Sequence, residues 1–234
     1  MLAQTALRYG IRLDDAQIDR FRAYLALLQE WSPRANLVSD ASEDVVVRRH
    51  FVESLALGAA LRQREILRPS SRVLDLGAGA GFPGVPIKIA WPSIELTLIE
   101  ATAKKTAFLR ALAETLALDQ ISVETGRAEE LGHRTDLRGA FDLALARAVA
   151  PLPTLLELAL PFVRVGGRLI AVKGSRAQAE LAAAARALEI LGGRPFTVPL
   201  DVPGPKQTIV AVLKQRETPP AYPRRAGVPR RSPL

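Results

Sequence analysis

The chain contains no cysteine, and its only histidines are His50 and His133. Without thiols there are no disulfides, no thiolate metal site and no anchor for an iron–sulfur cluster. Two histidines do not make a histidine-rich centre, so no metal is expected. Long apolar runs are also missing. A membrane span needs about 18 consecutive apolar residues, and Arg147, Pro151, Pro153 and Glu157 interrupt the best candidate. The N-terminal stretch carries Arg8, Arg12 and Asp14-Asp15 where a signal peptide has its apolar centre, and the chain is expected to remain in the cytoplasm. No internal repeat is visible.

Net charge is scarce until the end. Basic residues outnumber acidic ones by 10 to 9 over residues 1–68, by 16 to 14 over 69–213, and by 6 to 1 over 214–234, so most of the +8 excess lies in the last segment. That segment also holds five of the 17 prolines and reads as an extended basic arm. A polyanion is the partner such an arm suits; a solvated tail that keeps a near-neutral body soluble is the plainer reading.

The 234 residues are 48% hydrophobic, enough for one sizeable core. Residues 14–31 put Ile18, Phe21, Leu25 and Leu28 on one helical face, with Asp14 and Asp15 able to cap its start. A second helix is expected after Asp40, whose spacing to Glu43 resembles a capping box, carrying Val45, Val46, Phe51, Val52 and Leu55. From Arg72 onward, short β-rich runs alternate with helical stretches, the pattern of a doubly wound, mostly parallel sheet. Strands are expected at 72–76, 94–100, 121–125, 141–146, 167–172, 196–201 and 207–213, and helices at 84–90, 103–117, 151–163 and 176–191. The division is a helical cap over 1–68, a sheet domain over 69–214 and a tail over 215–234.

The most informative run is Val73-Leu74-Asp75-Leu76-Gly77-Ala78-Gly79-Ala80-Gly81-Phe82-Pro83-Gly84, a strand followed by a glycine turn in which the backbone can approach a ligand closely. The next strand delivers Glu100, 23 residues after Gly77, where a carboxylate can accept from both hydroxyls of a ribose. Counted from Gly77 the glycines read G-x-G-x-G with Phe82 sixth, which favours S-adenosylmethionine. Gly79, Gly81 and Gly84 satisfy the dinucleotide pattern G-x-G-x-x-G if the strand runs two residues further. Ligands of such sheets sit outside the carboxyl ends of the strands. This nominates Gly77 to Phe82, Glu100-Ala101-Thr102, Arg127-Ala128-Glu129, Arg147 and Lys173-Gly174-Ser175, with Ala128 and Glu129 flanking an adenine.

Methyl transfer from a sulfonium depends largely on proximity and in-line approach, and needs a base only when the nucleophile carries a proton. The absence of cysteine excludes routes through a covalent cysteine adduct. Enzymes that methylate exocyclic base amines usually carry an Asp- or Asn-Pro-Pro-aromatic turn after the fourth strand, where this chain reads Ala146-Arg147-Ala148-Val149-Ala150-Pro151. A ring nitrogen such as guanine N7 needs no proton removed. Arg147 and Lys173 then take positioning roles, as contacts to phosphate or to a base edge; a salt bridge and a solvated strand end are their plainer roles.

Asn36-Leu37-Val38-Ser39, Arg49-His50-Phe51-Val52-Glu53-Ser54-Leu55, Asp75 to Pro86, Gly126-Arg127-Ala128-Glu129-Glu130, Phe141-Asp142 to Arg147-Ala148 and Val172-Lys173-Gly174 resemble, in order and spacing, the bacterial small-subunit ribosomal RNA guanine-N7 methyltransferases (RsmG, formerly GidB). The ending Tyr222-Pro223-Arg224-Arg225 to Pro233-Leu234 is similar too. The resemblance implies an α/β, Rossmann-like class I S-adenosylmethionine-dependent methyltransferase fold with seven strands, an N-terminal helical cap and a basic C-terminal tail. It implies cofactor contacts at Gly77, Phe82, Glu100, Ala101, Thr102, Ala128, Glu129 and Arg147, to which the glycine turn itself adds Gly79 and Gly81. The substrate it implies is a guanine, guanine 527, in the decoding-region loop of 16S ribosomal RNA, naked or in the small subunit. Arg49, His50, Arg127, Lys173, Ser175, Arg224 and Arg225 are the candidate RNA contacts, and the chain is expected to act as a monomer. Glu100 departs from the Asp many members carry, and its extra methylene still reaches a ribose. Three other functions remain open: a nicotinamide-dependent oxidoreductase, for which no Tyr-x-x-x-Lys pair is present, a small-molecule methyltransferase, and a non-catalytic RNA-binding module.

Overall fold

Strand β1 (Arg72–Leu76) is central because it is apolar on both faces: Val73, Leu74 and Leu76 are buried, and so is Asp75. A strand with no solvent face needs neighbours on both edges and helices above and below. In the computed structural model, which describes residues 1–196, 198 and 208–234, β1 pairs in parallel with β2 (Glu95–Glu100) and with β4 (Phe141–Arg147). Strand β3 (Ile121–Thr125) lies outside β2, and β5 (Val163–Lys173) outside β4. Two more strands, β6 (Gly193–Phe196) and β7 (Thr208–Lys214), complete a seven-stranded sheet of order β3-β2-β1-β4-β5-β7-β6, in which β7 runs antiparallel to both its neighbours.

Strands one to five agree with the sequence expectation to within a residue, except that β5 starts at Val163 rather than 167. Of the strand expected at 196–201, Phe196 ends β6, while residues 197 and 199–201 lie outside the described residues, as does 207. The helix expected at 176–191 is broken at the buried Ala184. The capping box at Asp40 does not form: Ser42 is the N-cap, and Asp40 Oδ1 accepts from the Ser42 amide at 2.8 Å.

Side chains alternate across the sheet and divide the core in two. One face packs Val73, Leu96, Leu98, Leu143 and Leu145 against α2 (Asp15–Ala35), α4 (Val52–Gln63), α5 (Gly84–Ala90) and α6 (Ala103–Thr115). The N-terminal helices therefore share a core with the sheet. Asp14 starts α2 as a capping box with Gln17, whose side-chain amide donates to the carbonyls of Ile89 and Ala90 at the end of α5. Ahead of α4, α3 (Glu43–Val45) runs into a π-helical turn, Val46–Phe51. The other face packs Leu74, Leu76, Ala144, Ala146 and Leu169 against α8 (Leu152–Ala159) and α10 (Ala185–Leu191), with Tyr222 and Leu234 of the tail at its margin.

The tail is no extended arm. Glu157 of α8, completely buried, accepts from the Arg224 backbone amide and Nε at 2.8 Å each and from Nη2 at 2.6 Å. Arg138 donates to the carbonyls of Thr218, Pro219 and Tyr222, Thr154 Oγ1 to the carbonyl of Pro229, and a ring nitrogen of His133 lies 2.8 Å from the carbonyl of Pro223. Proline-rich backbone, with few amides of its own, can dock only where the rest of the fold supplies donors to its carbonyls.

Candidate active site

The strand order reverses between β1 and β4, and the carboxyl ends of these two strands define the crevice where such sheets bind ligands. Gly77, Gly79 and Gly81 all have positive φ, +69°, +56° and +92°. A Cβ on Gly77 would meet Val149 at 2.9 Å, and one on Gly81 would meet the Tyr24 hydroxyl at 2.7 Å. Gly79 differs, because its Cβ would have nothing nearer than 3.8 Å, so space is open above it. The glycine turn is bonded to β2 by the amides of Gly77 and Ala78, which both donate to the Ile99 carbonyl.

Two carboxylates face this turn. Glu100 Oε2 accepts from the Gly79 amide at 3.1 Å and Oε1 from the Thr102 amide at 2.9 Å, which fixes the group and leaves a lone pair free on each oxygen. Asp75 Oδ2 accepts from the Gly84 amide at 2.8 Å, capping the first residue of α5. Asp75 Oδ1 is buried and has no hydrogen-bond partner. Burial pushes the Asp75 carboxyl up to about 7, with Glu100 adding in the same direction and the Gly84 amide and Arg147 opposing.

Period two explains which strand-end residues reach the crevice. Arg147 and Asp75 lie on the same face as Leu143, Leu145 and Val73, towards the N-terminal helices. There Arg147 Nη2 lies 3.0 Å from the buried Glu53 carboxylate and 3.2 Å from His50 Nδ1. Burial pulls the Arg147 guanidinium below its ordinary range and Glu53 partly restores it. Lys173 falls on the opposite face: its ammonium lies 2.8 Å from Glu180 and donates to the Ala150 carbonyl, tying the loop after β4 to α9 (Ala177–Ala183). The paired roles expected of Arg147 and Lys173 are thus separated by the sheet itself.

His50 was expected among the RNA contacts, on the helix after Asp40. The π-helical turn, which inserts a residue into the helical ladder, presents its ring to the glycine loop. The imidazole stacks on Phe82 at 4.7 Å and 17°, and Phe82 stacks on Tyr24 at 5.4 Å and 15°. Burial, reinforced by Arg147 and Arg49, lowers the His50 pKa to about 4, so the ring is neutral at pH 7. The Tyr24 hydroxyl donates to the Ala80 carbonyl, which fixes the column to the glycine turn. Sequence reasoning did not single out Glu53, Asp75 and Tyr24 as site residues. Only a charged residue within an apolar helical or strand pattern marks the first two.

The remaining candidates divide. Ala101, Thr102, Arg49, Arg127, Ser175 and Arg225 are exposed, and Ala128 is half-buried where α7 (Ala128–Leu131) leaves β3. Glu129 Oε1 accepts from the Gly227 amide of the tail at 3.0 Å, and Arg224 is committed to Glu157. No helix among the described residues is long and apolar enough to cross a membrane.

The fold matches solved structures at low identity. A variant of MtNAS in complex with S-adenosylmethionine superposes with a TM-score of 0.59 and 18% identity, over 92% of this chain and 88% of the other. Precorrin-6y C5,15-methyltransferase from Geobacter metallireducens gives 0.51 and 15%, over 76% and 91%. At the sequence level, the model of the GidB family, rRNA small subunit methyltransferase G, matches residues 17–209. The ribosomal RNA small subunit methyltransferase G of Roseiflexus sp. (strain RS-1) is 44% identical over 100% of this chain and 99% of its own length. That of Acetivibrio thermocellus is 39% identical over 100% and 96%. The chain belongs to the GidB family of small-subunit ribosomal RNA methyltransferases.

Proposed function

We propose that this chain transfers the methyl group of S-adenosylmethionine to N7 of a guanine in 16S ribosomal RNA, in the cytoplasm. The observation that carries the cofactor assignment is the pair of carboxylates at the switch point. Glu100 is fixed with two free lone pairs where a ribose belongs, and the buried Asp75 Oδ1 lacks the donor that an α-ammonium supplies. Gly77, Gly79, Gly81, Phe82, Ala101, Thr102, Ala128 and Glu129 complete the cofactor surface. The open space above Gly79 suits the close approach of a ligand. The reversed β7 distinguishes this sheet from the dinucleotide-binding order 3-2-1-4-5-6.

Bound there, S-adenosylmethionine supplies a methyl on a sulfonium leaving group. The guanine N7 lone pair forms the new N–C bond while the S–C pair stays on sulfur; no proton leaves N7, and the product ring is cationic. Residues that hold positive charge at the reacting nitrogen would oppose this step, and the site avoids them. His50 is neutral, and the Arg147 charge is offset by Glu53 at 3.0 Å. Asp75 and Glu100 add negative potential that favours a cationic ligand. Arg147 and His50 position the base, with Arg49, Arg127, Ser175 and Arg225 as outer RNA contacts; Lys173 and Arg224 serve the same surface indirectly, by holding the loop after β4 and the tail.

The test is transfer of labelled methyl to small ribosomal subunits from cells lacking this activity, with the modified base identified by mass spectrometry. N7-methylguanine at a single 16S site is the expected result. Methylation of an exocyclic amine, or none despite cofactor binding, overturns the assignment.

A further inference from the structure

We infer that the C-terminal tail is a wall of the cofactor site, with the Gly227 amide as a positioning group that sets Glu129; this rests on the cofactor assignment above. The route is short. Glu129 is the second residue of α7, in the turn after β3, and its side chain accepts from Gly227 at 3.0 Å rather than from α7 itself. Gly227 has φ +82°, so its amide is aimed by a left-handed turn that suits glycine. On either side the tail is anchored into the body: Arg224 reaches the fully buried Glu157, and the Pro229 carbonyl accepts from the buried Thr154 hydroxyl at 3.0 Å. Behind α7, Pro223 packs so closely on Gly132 that a Cβ there would lie 2.9 Å from its ring, and His133 meets the Pro223 carbonyl.

A carboxylate bonded to a fixed amide keeps one orientation, and the backbone of Ala128 and Glu129 is then held ready for an adenine edge. Freed, Glu129 would be a mobile anion at the mouth of that subsite. Tail docking and cofactor binding should accordingly reinforce one another, and thermodynamic reciprocity requires each to strengthen the other by the same factor.

The probe is S-adenosylhomocysteine, titrated calorimetrically into the full chain and into a chain ending at Arg225. The shortened chain keeps the Arg224–Glu157 pair and lacks residues 226–234, the Gly227 amide among them. Binding weaker by about tenfold is expected, a typical coupling strength. In the full chain, saturating ligand should slow trypsin cleavage after Arg225, Arg230 and Arg231. Undiminished binding by the shortened chain overturns the inference and leaves the cofactor assignment standing; failure of the full chain to bind sinks both. Should the shortened chain prove unstable, the full chain decides, since tail cleavage unaffected by ligand is equally fatal.

Discussion

Asp75 is the residue whose chemistry depends most on whether the site is filled. Its pKa is raised from 3.8 to about 7 by burial, so in the empty protein its contribution to stability is fully present below pH 3.8 and is lost as pH rises through about 7. Asp75→Asn keeps an acceptor for the Gly84 amide and removes that titration. Relative to the parent, the variant should gain melting temperature between pH 4 and pH 8 in thermal scans without ligand. A cationic ligand opposite Oδ1 reverses the preference, because it favours the charged carboxylate. Calorimetry in buffers of different ionisation enthalpy at pH 6 to 7 should then show protons released on cofactor binding. His50 carries the opposite sign. Its pKa is lowered from 6.5 to about 4, so the stability it contributes is present above pH 6.5 and is lost as pH falls through about 4. With only two histidines in the chain, proton NMR can follow its ring directly, and no charging of His50 is expected above pH 5.

At the scale of elements, the glycine turn separates shape from ligand. Gly81→Ala forces a Cβ into the Tyr24 hydroxyl and Val85 at positive φ. Gly79→Ala meets no neighbour within 3.4 Å and suffers only the backbone cost, about 1 kcal/mol for a left-handed alanine. Gly79→Ala should therefore melt close to the parent yet lose most cofactor affinity, whereas Gly81→Ala should lose both; equal affinity losses without a melting difference would contradict the open approach above Gly79. This turn, β1 to β5 and Glu100 were legible in the sequence because each is written in local pattern: apolar runs, glycine spacing and strand length. The π-helical turn at Val46–Phe51 was not, since one inserted residue leaves helical periodicity almost unchanged. The separation of Arg147 from Lys173 was latent in strand alternation but needed the register, Arg147 opposite Val172, to become visible. The docking of the tail was invisible because its anchor joins Glu157 to Arg224, 67 residues apart.

For the whole molecule, the Arg224–Glu157 pair and the exposed arginines play separate parts. Removing one partner of a buried ion pair leaves the other charge uncompensated, a loss of about 3–5 kcal/mol. Arg224→Ala should therefore lower the urea midpoint severely even though it touches no ligand. Arg225, Arg230 and Arg231 remain exposed on the docked tail. If they meet RNA phosphates, replacing all three by Ala should flatten the salt dependence of subunit binding, by about 0.7–0.9 in log–log slope for each phosphate no longer neutralised. An unchanged slope would remove the tail's outer face from the RNA interface.

The position of Arg224, 67 residues downstream of Glu157, also bears on synthesis. Translation delivers the chain from its N-terminus, so α8 and the sheet around Glu157 emerge long before the guanidinium that neutralises it. Final packing around Glu157 must wait until Arg224 has followed it out of the ribosome. A premature stop before codon 224 would accordingly yield a product with an unpaired anion in its core, prey to quality-control proteases before it ever met a substrate.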